Sequence, residues 1–250
     1  MKKSFQILVL LLFVACGANA QQEKGIIGST NWLSNWTEFK PAKVDYGEPN
    51  QILAGNISTN TKLLKKNVYL LQGAVYVDNN AVLTIEPGTV IIGDFDSGAA
   101  LVITKGASIV ADGLETDPIV FTSNRSVKKA GDWGGIVILG DAPINKFGGV
   151  ASVNYDLDNA LTVYGGNNPV ASSGTLRYVR IEYAGKKVRG SGNFNGLFLG
   201  GVGNKTIIEN VMVSFCAGDS YEVYGGDVVL NKMVSLKASG IDYKFNYGVQ

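Results

Sequence analysis

Apolar residues along this chain come in short runs of Val, Ile and Leu, separated by Gly, Asn and Asp, and the runs keep a period. Leu83-Thr84-Ile85-Glu86-Pro87-Gly88-Thr89-Val90-Ile91-Ile92 is followed, eighteen residues on, by Leu101-Val102-Ile103-Thr104-Lys105-Gly106-Ala107-Ser108-Ile109-Val110. The turn glycine and both apolar runs repeat together, and the same offset reaches Ile119-Val120-Phe121 and Val137-Ile138-Leu139. Such a period marks a solenoid. No interval after residue 60 carries the i, i+3, i+4, i+7 spacing of a long amphipathic helix, so the pattern predicts strands and turns to the end.

A second, looser repeat follows a Gly/Asn/Ser-rich excursion from Asp141 to Ser173. Tyr178-Val179-Arg180-Ile181-Glu182-Tyr183-Ala184-Gly185 resembles Met212-Val213-Ser214-Phe215-Cys216-Ala217-Gly218 and Met233-Val234-Ser235-Leu236-Lys237-Ala238-Ser239-Gly240. The closing glycines lie 33 and then 22 residues apart, as when a stacked strand is kept and the loops vary. Each coil is expected to contribute short strands whose alternate side chains point inward and whose backbone bonds to the next coil about 4.8 Å along the axis. Crossovers between parallel strands are overwhelmingly right-handed. The expected fold is therefore all-β, a right-handed single-stranded parallel β-helix. A left-handed β-helix needs aliphatic-led hexapeptides, which are absent, and a sandwich needs a regular series of tight hairpins, which the pattern does not show.

The ordered strings Leu83 to Ile91, Gly93 to Ile103, Pro118 to Ser123 and Gly131-Asp132-Trp133-Gly134-Gly135-Ile136 resemble a family of secreted bacterial right-handed β-helix proteins of the pectin-lyase-like superfamily, over roughly Val68 to Gln250. The resemblance implies the fold. It leaves activity open, because this scaffold hosts lyases, hydrolases, adhesins and binding proteins. Members often carry a C-terminal sorting domain, of which nothing is visible, and Asp242 to Gln250 reads as a strand in mid-pattern, as in a chain truncated at its C-terminus.

The N-terminus changes the picture of location. Lys2 and Lys3, the apolar run Ile7 to Val14 and Ala18-Asn19-Ala20 form a signal peptide over residues 1–20. An alternative uses Phe13-Val14-Ala15-Cys16 as a lipoprotein signal that leaves Cys16 acylated. The apolar run is too short for a transmembrane span. Both readings export the chain, to the cell surface, the outer membrane, the periplasm or the medium. Residues 21–60 read as a lead-in or cap, in which Trp32, Trp36 and Phe39 cover the first coil or pack along a flank, and residues 61–250 read as the β-helix. Without Lys2 and Lys3 the net charge falls from +1 to about −1, which points away from nucleic acid. After cleavage Cys216 is the one cysteine left, so no intramolecular disulfide can form, and its apolar surroundings make it a buried small hydrophobe. A monomer is expected.

Chemistry is narrowed by composition, since the chain has no histidine and acid–base work must fall to Asp, Glu, Lys, Arg or Tyr. Asp94, Asp96 and Asp112 are metal candidates, because acidic turns stacked on one another could chelate calcium through oxygen, although Asp and Gly also make ordinary turns. No other cofactor is implied. Asp219, Tyr221, Glu222, Tyr224 and Asp227 are ligand-binding candidates, because carboxylates beside aromatic rings suit a sugar. Arg177, Arg180 and Glu182 fit an outward salt-bridged strand or, less simply, the base of a lyase. The leading expectation is an exported, non-catalytic β-helix acting as surface scaffold, adhesin or glycan-binding module, with a polysaccharide or other cell-surface glycan as partner. The alternatives are a polysaccharide lyase or glycoside hydrolase using loop carboxylates, with or without calcium, and a passive surface component.

Overall fold

Three parallel ladders wind along one axis in the computed structural model, which describes residues 36–37, 40–190 and 192–246. All of these lie in the compact unit Asn35–Gln250. Each coil crosses three faces. Inward positions of the first face stack Tyr69, Ile91, Phe121, Ile181 and Val213. The second face stacks Val75, Leu101, Ile136, Leu197 and Tyr221, and beside them Val77, Ile103, Ile138, Leu199 and Val223. The third stacks Leu63, Ile85, Ala111, Leu176 and Ile208. These side chains form one continuous buried core, where a full-sized aliphatic contributes about 1.5–3 kcal/mol. The expected right-handed parallel β-helix is the fold found.

The coil is not eighteen residues long, however. Leu83 lies on the third face and Leu101 on the second, so the repeated units wrap different corners; Leu83 stacks on Ile109 and Leu101 on Ile136. Gly88 and Gly106 turn the chain with φ of 77° and 95°, and this shared corner chemistry produces the similarity. Through the early third face the step is 22 residues, from Thr61 to Leu83, and it returns where Met212 stacks on Val234. The later repeat thus follows the stacking register, although Arg180 lies on Met212 one residue away from the alignment that its glycines suggest.

The first coil begins with the strand Gln51–Ile57, inside the stretch read as lead-in. The segment before it runs along a flank: Trp36 packs edge-on to Tyr178 at 5.8 Å, and Tyr46 lies over Arg180 and Glu182. The signal peptide, Cys16, Trp32 and Phe39 fall outside the described residues. Trp133 is fully buried, stacks on Phe121 at 6.3 Å and donates to the Glu182 carbonyl at 2.7 Å. Gly93 makes room for it, since a Cβ there would lie 2.6 Å from Trp133 Cγ.

Residues 141–173 form a saddle across the outside of the second face. Its two short strands, Ala151–Ser152 and Val163–Tyr164, pair antiparallel, and Ile144, Val153 and Tyr164 pack on Val102, Val137 and Phe198. Outward positions of that face are therefore apolar and buried beneath it.

Candidate functional site

Past the saddle, the outward ladder of the second face turns polar. Alternation along Tyr221–Gly226 sends Tyr221 and Val223 inward and Glu222 and Tyr224 outward, and Lys244 on Tyr243–Asn246 lies opposite Glu222. Lys244 Nζ stands 2.8 Å from Glu222 Oε1 and 3.5 Å from Asp219 Oδ2. Asn195 donates to Glu222 Oε2 at 2.6 Å and Asn246 to Oε1 at 2.8 Å. Asn195 also donates to the Tyr155 hydroxyl at 2.9 Å, which brings a saddle residue to the rim. Asp219 is fixed from behind by the Ile241 amide at 2.8 Å. Tyr155, Asn195, Asp219, Glu222 and Lys244, with Asn193 and Gly218, line a cleft of about 480 Å³.

Electrostatics in the cleft follow from these contacts. The hydrogen bond to Glu222, reinforced by the charges of Glu222 and Asp219, outweighs desolvation and raises the Lys244 pKa above the ordinary lysine value, so the ammonium stays charged at neutral pH. Burial, and then the charges of Glu222 and Asp219, push the Tyr155 phenol far above the usual tyrosine range, so it keeps its proton. Tyr155 is held by Phe194 at 4.5 Å and Phe198 at 5.8 Å. The cleft thus offers a neutral phenol, amides, a charged ammonium and carboxylate lone pairs.

The expected ligand residues are separated. Asp219 and Glu222 meet on Lys244, and Tyr224 lies on the same outward face, edge-on to Tyr164 at 5.9 Å. Tyr221 is fully buried: its hydroxyl lies 2.8 Å from the Val211 carbonyl and 2.6 Å from that of Val234, and accepts the Val213 amide at 3.0 Å, so it staples coils rather than facing a ligand. Gly225 and Gly226 then carry the chain round the next corner, where exposed Asp227 accepts from Asn204 at 3.0 Å. Lys244, Asn195 and Tyr155 were not anticipated. The 22-residue step already visible between Met212 and Val234 places Lys244 on Glu222, whereas the saddle contact of Tyr155 leaves no periodic signal.

Asp94, Asp96 and Asp112 do not stack. Asp94 closes a first-face turn, accepting from the Ser97 amide at 3.1 Å and Asn124 at 2.6 Å; burial opposes these bonds, but together they hold its carboxyl below the ordinary range. Asp112 ends a third-face strand and pairs with Arg177 at 2.8 Å. Among the described residues no three His, Cys, Asp or Glu side chains come together in a way that could hold a metal ion. Arg177 also meets Glu209 at 3.3 Å, forming an outward charge ladder. Arg180 and Glu182, 3.1 Å apart, also point outward but are buried beneath Tyr46, which donates to Glu182 at 3.1 Å.

A family model described as a pectate-lyase like beta helix domain matches residues 55–248. No curated protein and no solved structure matches the chain. No helix among the described residues is long and apolar enough to cross a membrane.

Proposed function

Because the chain belongs to the pectate-lyase-like β-helix family, whose scaffold serves binding as readily as catalysis, we propose that it is an exported, non-catalytic glycan-binding protein of the cell surface with its ligand site in the Glu222–Lys244 cleft. One observation carries this reading: the cleft's cation and carboxylates are already engaged with one another. Lys244 stands 2.8 Å from Glu222 with its pKa raised, so it is a poor proton acceptor at neutral pH. Such preorganised groups can still exchange hydrogen bonds with sugar hydroxyls, since each carboxylate has about four lone-pair sites and the ammonium three donors. The half-buried ring of Tyr155, which lines the same cleft, supplies apolar surface beside them. Export is supported by the charged start, apolar run and small-residue site of residues 1–20.

The test is a glycan-binding screen of the purified mature protein, followed by titration of each hit against Glu222→Gln and Lys244→Met. Binding by the parent, weakened at least about tenfold in both variants, is the expected result. Release of unsaturated products or new reducing ends, with or without added calcium, would replace this reading by a lyase or a hydrolase.

A further inference from the structure

The three faces differ in what lies on them. The Tyr46 segment covers part of the first and the saddle part of the second, whereas outward side chains of the third stay open to solvent. Two ladders stand on that third face. In one, Val110 stacks on Thr175, Thr175 on Ile207 and Ile207 on Val229. These β-branched side chains form a ridge that emerges along the axis: Val110 and Thr175 are half-buried, Ile207 is 43% exposed and Val229 68%. In the other ladder, two positions along each strand, Asp112 stacks on Arg177 and Arg177 on Glu209, and Lys232 continues the series 4.0 Å from Glu209. Charges thus alternate in sign at the coil spacing of about 4.8 Å. On the second face outward apolar residues sit beneath the saddle, so a ridge that ends in exposed Ile207 and Val229 calls for a cover of its own.

The charge pattern names the cover, because it is complementary to itself. A two-fold axis parallel to the strands, passing between Gly174–Glu182 and Ile207–Ser214, lays a second copy on this face with its helix axis reversed. Such a rotation keeps each position along a strand and inverts the order of the coils, so ridge meets ridge and charge ladder meets charge ladder. Val110 then faces Val229 of the second copy and Thr175 faces its Ile207, while Arg177 faces its Glu209 and Asp112 its Lys232, each contact occurring twice. We propose that the protein forms a reversible two-fold dimer through its third face, in place of the monomer expected from the sequence. Five strands about 4.8 Å apart and about five residues wide offer roughly 400 Å² per copy, about half the usual share, so the dimer dissociates in the micromolar range. Exposed ion pairs add little affinity, but other registers set like charges opposite one another, so the ladder fixes the register. The dimer uses no residue of the Glu222–Lys244 cleft and stands or falls independently of ligand binding there.

The experiment is sedimentation velocity of the purified mature protein from about 1 to about 300 μM. A reversible monomer–dimer equilibrium with Kd of roughly 10–100 μM is expected, weakened at least about tenfold by Ile207→Lys and by Val229→Lys. Both positions are exposed, so lysine there leaves the core intact, and thermal midpoints at the lowest concentration check that each variant is folded. Arg177→Glu and Glu209→Arg should each weaken the homodimer, because each sets like charges opposite one another twice. An equimolar mixture of these two variants should associate again, since every facing pair in the mixed dimer is of opposite sign. A parent that stays monomeric to about 300 μM, a dimer unaffected by both lysine substitutions, or a mixture no tighter than either folded charge variant alone would overturn the proposal.

Discussion

Replacing Arg180 by Met tests how the flank segment and the β-helix depend on one another. Arg180 and Glu182 alternate outward on one strand, where a sheet surface would ordinarily be wet, yet their side chains are only 7% and 1% exposed because the segment carrying Tyr46 covers them. Removing one partner of a buried ion pair leaves the other uncompensated and typically costs about 3–5 kcal/mol. Met keeps most of the volume, so the loss is electrostatic. Desolvation already raises the Glu182 pKa above its ordinary value, against the opposing pull of Arg180, and without Arg180 the rise is larger. The native state then holds a proton that the unfolded state releases. Stability of the variant must therefore increase as pH falls through the raised folded value, by about 1.4 kcal/mol per unit, until the ordinary carboxylate range is reached. Urea midpoints at pH 7, 6 and 5, followed by Trp fluorescence with the slope checked for constancy, measure both quantities. A loss under about 1 kcal/mol at pH 7, or a pH profile parallel to the parent's, would refute the reasoning.

Three further outcomes follow from particular contacts. Tyr221→Phe should cost about 2–3 kcal/mol in urea unfolding, because the Val213 amide and the carbonyls of Val211 and Val234 lose a shared buried partner; a cost below about 0.5 kcal/mol would return Tyr221 to the list of ligand residues. Burial pushes the Cys216 thiol up to about 12, so Ellman's reagent should label the native protein only at its unfolding rate, and rapid stoichiometric labelling at neutral pH would contradict the burial seen. Arg177→Met should lower stability by less than about 1 kcal/mol, since Arg177, Asp112 and Glu209 are all partly solvated, and a larger loss would show that this ladder supports the coil stack.

Most of the fold was legible because a stacked core forces aliphatic residues to equivalent places. What misled was the unit of repetition. In a three-faced solenoid any strand, left-handed glycine and strand looks like any other, so the match of Leu83 to Leu101 counted a passage round a corner rather than a full coil. The true step shows only where two coils have loops of equal length, as from Met212 to Val234. At the site, Asp219 and Glu222 were legible as acidic groups near aromatics. Tyr221 reads as a ligand residue when it is taken as an aromatic ring beside carboxylates, whereas its alternation with Glu222 along the strand places it in the core. Tyr155 and Asn195 were illegible because the saddle and the loop before Leu197 have no period, and their contact is made only once the saddle is laid across the second face.

The saddle also explains why the polar groups gather where they do. In a β-helix the inward ladders are committed to packing, which leaves outward positions and corners to carry chemistry. On the second face the outward ladder runs Asn56, Tyr76, Val102, Val137, Phe198, Glu222, Lys244. Its middle is apolar where the saddle covers it, and its ends are polar where the cover stops. Charges under the cover would be desolvated without partners, and apolar residues beyond it would lie in water, so the limits of the saddle set the sequence of the ladder. Each limit is also a step between a raised loop and a flat sheet, and such a step is a cleft. The Glu222–Lys244 cleft lies against one margin with Tyr155 on its rim, and a second recess, lined by Asp78, Asn79 and Lys105 with Leu161 and Val163 of the saddle, lies against the other. One insertion in an otherwise regular solenoid thus creates both recesses, and each is bordered by the polar residues that the same insertion leaves exposed.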